Sequence, residues 1–218
     1  MQGSRLIVSR ISRAAEKVAS RLLLISVCFV CASAAYADGW RSIKNEAGIQ
    51  ISVRNVGSRR EVRAATMIRS TPRAALALLR QIDRGPEWIK YCKAARMIEL
   101  NASGDFVAYS ATTLPFPLQD RDAVLRMHVD ELPDRIRISF EADPDRIPKD
   151  PRYVRITDMV GAWSFIQKAE GMLVIYEFST DPGGLFPDWF VNLALGHQPF
   201  HTLSNLRRIL EAQRMAYE

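Results

Sequence analysis

The sequence predicts an α+β fold in which a curved antiparallel sheet of about nine strands wraps around one long C-terminal helix. Apolar residues alternate with polar ones in successive runs from Met97 to Thr180, the period of half-buried strands. The period then changes. Phe186, Trp189, Phe190, Leu193, Phe200, Leu203, Leu206 and Leu210 recur at the spacing of one helical face. That face needs cover, and the concave side of a bent sheet is wide enough to supply it. Residual space between a bent sheet and a single crossing helix is expected to form an internal apolar cavity.

Along the chain, Asp38 to Glu46 is read as a short helix carrying Trp40. Ile49, Ile51 and Val53 share one face of a strand, and a second strand over Glu61 to Ile68 follows the turn at Gly57-Ser58. Ser70-Thr71-Pro72 supplies a cap and a first-turn proline, and Ala75, Leu76, Leu79 and Ile82 behind it predict a helix. An antiparallel meander follows, over Met97–Leu100, Phe106–Thr112, Ala123–Glu131, Arg135–Glu141, Tyr153–Met159, Ala162–Lys168 and Met172–Thr180. Turn residues such as Leu132-Pro133-Asp134 and Ala169-Glu170-Gly171 separate these runs. Asp143 to Pro151, broken by prolines, is expected to be a long loop. In the last helix Pro199 removes a backbone donor, which predicts a kink near Gly196 to Gln198.

The first residues have the pattern of a targeting segment. Arg5, Arg10, Arg13, Lys17 and Arg21 form a basic leader, Leu22 to Val30 is apolar, and Ala35-Tyr36-Ala37 places small residues where a signal peptidase reads them. The expectation is a signal peptide over 1–37, cleaved after Ala37, a domain over 38–218, and a periplasmic location. The apolar run falls short of the roughly 20 residues that span a bilayer, so a retained anchor is the weaker reading. Cys31 lacks the small preceding residue expected of a lipidated cysteine. After cleavage 25 basic and 23 acidic side chains remain, so the net charge falls from +6 to +2. That argues against a nucleic-acid binder, which needs a basic face. Cys92 is then the sole cysteine, so no internal disulfide is expected.

Several landmarks occur in a particular order. Leu114-Pro115-Phe116-Pro117-Leu118-Gln119-Asp120-Arg121-Asp122-Ala123-Val124 is similar to the proline-rich entry and Arg-Asp pair that open a central strand in START (StAR-related lipid-transfer) domains. Trp88 follows the first helix, Gly161-Ala162-Trp163 follows a run containing Val154-Arg155, and Asp181-Pro182-Gly183-Gly184-Leu185-Phe186-Pro187-Asp188-Trp189 resembles that family's approach to its last helix. The resemblance extends from Asp38 to Met215. It implies a helix-grip fold carrying one sterol, phospholipid or similar lipid, transient membrane contact, and a last helix that gates the cavity. A monomer is favoured, and no cofactor is implied.

Trp88, Arg121, Asp122, Trp163 and Pro199 are taken as structural landmarks. For Arg121 and Asp122, a salt bridge fixing the start of the strand is preferred over a head-group site. Some sterol-carrying relatives hold an acid and a base in the cavity, and ungapped alignment on Arg121-Asp122 puts Ala108 and Met127 there. This sequence departs from that pattern, which predicts a more apolar pocket. Strand alternation adds Ser110, Thr112 and Leu125 to the lining, and the helix adds Phe190, Leu193 and His197. Plain core packing also accounts for each of them. Ser110 and Thr112 stand out, because a hydroxyl in an apolar cavity needs a partner.

His197 and His201 have the i,i+4 spacing of a metal pair, but Pro199 and the lack of a third ligand argue against a metal site. No catalytic residue is assigned. Cys92 reads as an inert thiol, and no nucleophile elbow or phosphate loop occurs. The leading expectation is lipid binding and transfer. The alternatives are a helix-grip enzyme of the cyclase or hydrolase type, acting on an apolar substrate, and a module whose groove grips a peptide.

Overall fold

The structure, a computed structural model, describes residues 39–57, 59–181 and 188–216, with side chains from 181 to 194 outside that set. The expected leader and the glycines at 183 and 184 lie outside the described residues, and the described residues from Arg41 onward form one compact unit. Strand β1 (Arg41–Glu46) pairs antiparallel with β2 (Ile49–Val56) across a turn in which Ala47 and Gly48 both have positive φ, 50° and 70°. Such a two-residue turn matches the strand twist. It corrects the short helix expected over Asp38 to Glu46. A nine-residue segment nucleates a helix poorly, and pairing with β2 supplies its backbone with partners instead.

Strand β3 (Arg59–Ile68) pairs with β2 and leads into helix α1 (Pro72–Arg80). Thr71 Oγ1 accepts a hydrogen bond from Ala74 N at 3.2 Å, with Pro72 in the first turn, while Ala75, Leu76, Leu78 and Leu79 are buried. Thr71→Ala is expected to lower stability by about 1 kcal/mol, read as a shift in the urea midpoint. An unchanged midpoint would remove the cap from this account. A 3₁₀ turn (Ile82–Arg84) and a single helical turn, α2 (Gly85–Trp88), lead into the meander.

The meander comprises β4 (Cys92–Leu100), β5 (Phe106–Thr112), β6 (Arg121–Leu132), β7 (Arg135–Ala142), β9 (Asp158–Lys168) and β10 (Gly171–Asp181). Strand β4 begins before its expected start at Met97. Register shifts between Cys92 and Ala94 and between Met97 and Glu99 break its period of two and hide it from a search for alternation. The strand expected over Tyr153 to Met159 is divided between β8 (Val154–Arg155), which pairs parallel with Arg121 and Asp122 beside the path, and the first residues of β9, Asp158 and Met159. The sheet runs β1-β2-β3-β10-β9-β7-β6-β5-β4, a path of about the expected length in which β1 stands in for the expected Tyr153–Met159 strand, while β8 adds a tenth strand beside it. Pairing of β10 with β3, from Met172 opposite Ile68 to Ser179 opposite Glu61, joins the N-terminal hairpin to the end of the meander.

Helix α3 (Asp188–Met215) continues through Pro199 and buries Phe200, Leu203, Leu206, Ile209 and Leu210. Its polar residues hold it to the N-terminal hairpin and to α2. Arg207 donates to Ala47 O at 2.8 Å and to Thr66 Oγ1, and Asn205 Nδ2 donates to Trp88 O at 3.2 Å. The result is the α+β helix-grip arrangement expected from the two periods.

Candidate functional site

Alternation decides which side chains of the central strands meet α3. On β5 Ala108, Ser110 and Thr112 share the inner face, and on β6 Ala123, Leu125 and Met127 do. Phe140 on β7, Trp163 on β9 and Tyr176 on β10 complete the wall, and α3 adds Gln198 and Thr202. These residues bound a cavity of about 180 Å³. A second chamber of about 180 Å³ adjoins it towards the 113–120 loop, sharing Ile89, Thr112, Ile156, Met159, Tyr176 and Gln198 with the first. Lys90, Tyr91, Leu114, Pro115, Arg121 and Phe178 also face this outer chamber.

The wall owes its shape to stacked aromatic rings. Trp163 and Tyr176 are directly opposed on β9 and β10, their centroids 3.9 Å apart and their planes within 9°. Trp88 meets Trp163 edge-on at 5.8 Å, and Tyr176 continues into Phe178 at 4.8 Å. The edge-on contact of Trp88 with Trp163 matches the aromatic quadrupole. Gly161 lies opposite Phe140, and a Cβ there would collide with the Phe140 ring and with Glu177 O, so the absent side chain makes room for that ring.

Polar groups are few and placed singly. Thr202 is fully buried, and its Oγ1 accepts from Lys90 N at 3.1 Å and from Gln198 Nε2 at 3.2 Å, which seats α3 on the start of β4. Burial of the Tyr176 phenol raises its pKa strongly, so it stays neutral. Trp88, only 4% exposed, has an Nε1–H with no hydrogen-bond partner among the described residues. No carboxylate, histidine, lysine or arginine occurs in the described lining of the inner chamber.

The structure brings Ala108, Ser110, Thr112, Leu125 and Met127 into one wall, with the landmarks Trp88 and Trp163 in it as well. Phe190 and Leu193 lie outside the described side chains. His197 faces neither chamber. It borders a separate groove with Arg41, Lys44 and Arg60, and shares a 2.9 Å hydrogen bond with Tyr91 Oη. Tyr91 has φ of 69°, unusual for a bulky residue, and this bond and the Thr113 N to Tyr91 O bond at 2.9 Å hold it there. The salt bridge expected at the start of β6 is made by Asp122 with Arg155. Adjacent strand residues point to opposite faces, so Asp122 meets Arg155 on the outer side while Arg121 turns inward. Phe140, Met159, Tyr176, Gln198 and Thr202 were missed. The parity of Trp163, applied to neighbouring strands, would have indicated the aromatic residues, but no local pattern marks the two polar ones.

The rings of His197 and His201 lie against each other at a tilt of 52°, with centroids 4.1 Å apart. Burial, His201 and the ammonium groups of Lys90 and Lys44 lower the His197 pKa. Burial and the same lysines lower that of His201, with Glu46 opposing. The unfolded chain therefore takes up protons more readily than the folded one. The related stability is complete above the ordinary value near pH 6.5 and is lost as pH falls through the depressed folded values. The urea midpoint is expected to drop between pH 7 and pH 5, and to drop less in a His197→Gln, His201→Gln double variant. Equal drops in the two proteins would show that the pair is not responsible. Cys92 is half-buried, and burial raises its thiol pKa to about 11, which leaves it a poor nucleophile at neutral pH.

No family model matches the chain. An uncharacterized protein of Pseudomonas aeruginosa is 29% identical over 193 residues, 87% of this chain and 95% of that protein. Among solved structures, a STAR-related lipid transfer protein from Xanthomonas axonopodis superposes with a TM-score of 0.74 at 30% identity, over 79% of this chain and 99% of its own. Human StAR-related lipid transfer protein 5 shares the fold with a TM-score of 0.69 at 16% identity, over 94% and 99% of the two chains.

Proposed function

Since this chain belongs to the STAR-related lipid transfer family, we propose that it holds one lipid between the sheet and α3 and carries it between membranes. The observation that carries this reading is the pair of adjoining chambers, the inner walled by Trp163, Tyr176, Phe140 and Met127 and the outer by Tyr176, Phe178 and Ile156. A lipid leaving a bilayer exposes apolar surface at about 25 cal/mol per Å², and an apolar chamber offsets that cost. Phe116 supports contact with a membrane. It is 94% exposed between two prolines, on the loop whose Leu114 and Pro115 border the outer chamber. The basic, apolar and small-residue order of the first 37 residues supports export to the periplasm.

The test is mass spectrometry of the organic extract and of the intact protein, purified gently from its native compartment. A stoichiometric lipid is the expected result, with an intact mass corresponding to a chain beginning at Asp38. A protein that arrives empty and then refuses sterols, fatty acids and phospholipids alike would overturn the lipid-binding reading.

A further inference from the structure

Separate from the two chambers, a groove of about 420 Å³ runs between the N-terminal hairpin and α3. Arg41, Lys44, Arg60 and His197 border it, and no carboxylate does so among the described residues. Strand register explains why three cations gather there. Arg41 lies opposite Val53 and Lys44 opposite Ile51, both buried on the concave face, and directly opposed residues share a face. Residues three apart on a regular strand point to opposite sides, but the register shift between Ser42 and Lys44 brings both cations inward. Arg60 lies opposite Asn55, two residues beyond Val53, and so takes the same face.

Little neutralises this cluster. Neither Arg41 nor Arg60 has a carboxylate partner among the described residues, and Arg60 Nε donates only a long hydrogen bond to Asn55 Oδ1, at 3.4 Å. Lys44 pairs with the exposed Glu46 at 3.0 Å and lies 4.1 Å over the Phe200 ring of α3. The rest of the lining is apolar, from Ile43, Val53 and Leu195, with Gly196 adding no side chain. His197 borders the groove while Tyr91, its hydrogen-bond partner, faces the outer chamber, so the two recesses share that wall.

We infer that this groove seats the phosphate of an anionic phospholipid at a membrane surface, which docks the protein with α3 and the outer chamber beside the bilayer. The inference goes beyond cargo binding, because the groove shares no lining residue with either chamber. Guanidinium groups match phosphate oxygens in geometry, and cations gathered in a recess focus their potential on it. The apolar side of the groove suits the glycerol and upper chains of a lipid. A nucleic acid fits poorly, since no tyrosine, tryptophan or phenylalanine is in the described lining to stack a base.

The experiment measures cosedimentation of the purified protein with vesicles of phosphatidylcholine alone and of phosphatidylcholine mixed with phosphatidylglycerol. Association with the mixed vesicles is expected to be about tenfold or more tighter and to weaken as salt rises. An Arg41→Gln, Arg60→Gln double variant should lose about tenfold or more of it, at about fivefold for each cation near an anionic surface. Its urea midpoint and its binding of a free fluorescent lipid should stay as in the native protein, since both arginines are exposed and outside the chambers. An Arg73→Gln, Arg135→Gln variant removes the same charge from exposed positions beside the β6–β7 turn, and should change association by less than about twofold. Equal association with the two kinds of vesicle would overturn the inference, as would equal losses in the two double variants, which would reduce it to net charge. Release from mixed vesicles by glycerol phosphate at constant ionic strength would assign the groove to a soluble phosphate ester and overturn the membrane source. Each of these results leaves cargo binding intact, whereas a native protein that docks on mixed vesicles and takes up no lipid would refute the lipid-binding reading alone.

Discussion

Arg155→Ala is expected to destabilise the protein by about 3–5 kcal/mol, the cost of leaving a buried charge without its partner. Arg155 meets Asp122 through two parallel contacts, Nε to Oδ1 at 2.8 Å and Nη2 to Oδ2 at 2.9 Å, with the side chains 3% and 1% exposed. Its guanidinium also donates to the carbonyl oxygens of Pro144, Ile147 and Pro148, at 2.6, 3.3 and 3.3 Å. One side chain therefore joins β8 to β6 and satisfies backbone acceptors of the 143–153 loop. Asp122→Ala should cost a similar amount. An Asp122→Leu, Arg155→Leu double variant should recover part of the loss, since both desolvation costs disappear, but not the loop's hydrogen bonds. Urea unfolding of the three proteins checks this, and single variants within about 1 kcal/mol of the native protein would show that the pair contributes little.

Ala108→Trp is expected to reduce uptake of a fluorescent lipid by about tenfold or more while the protein stays folded. Ala108 lies on the inner wall opposite Leu125, and an indole there would fill much of the 180 Å³ chamber. Overpacking should cost about 1–3 kcal/mol of stability. Phe116→Ser is the contrasting variant. It leaves the chambers as they are, so binding of free lipid should be unchanged while transfer between vesicles slows. An Ala108→Trp protein that binds lipid like the native one would move the cargo out of the inner chamber. A Phe116→Ser protein with undiminished transfer would remove that loop from membrane contact.

The fold was legible because its two periods are long and differ. From Met97 to Thr180 alternation announces a sheet, and the three-to-four spacing of Phe200, Leu203, Leu206 and Leu210 announces the helix it covers. Local reading failed where pairing overrode propensity, as in β1, where the Ala47-Gly48 turn made a hairpin of a presumed helix. It also failed where bulges broke the alternation of β4. Five cavity residues on β5 and β6 were accessible because parity within a strand needs only one inward residue as anchor. Parity between strands requires the register, and that is set by long-range pairs such as Tyr176 opposite Trp163.

The strands β5, β6, β7, β9 and β10, the identity of the covering helix and the apolar character of its partners are thus properties of the sequence alone, because each depends on spacing between near neighbours. Tertiary structure decided the rest. It separated Arg121 from Asp122, giving the acid to Arg155 and the base to the outer chamber, and it turned His197 towards Tyr91 rather than into the cavity. A charge finds its partner through contacts between residues far apart in the chain, and no local period encodes which distant group will be within 3 Å.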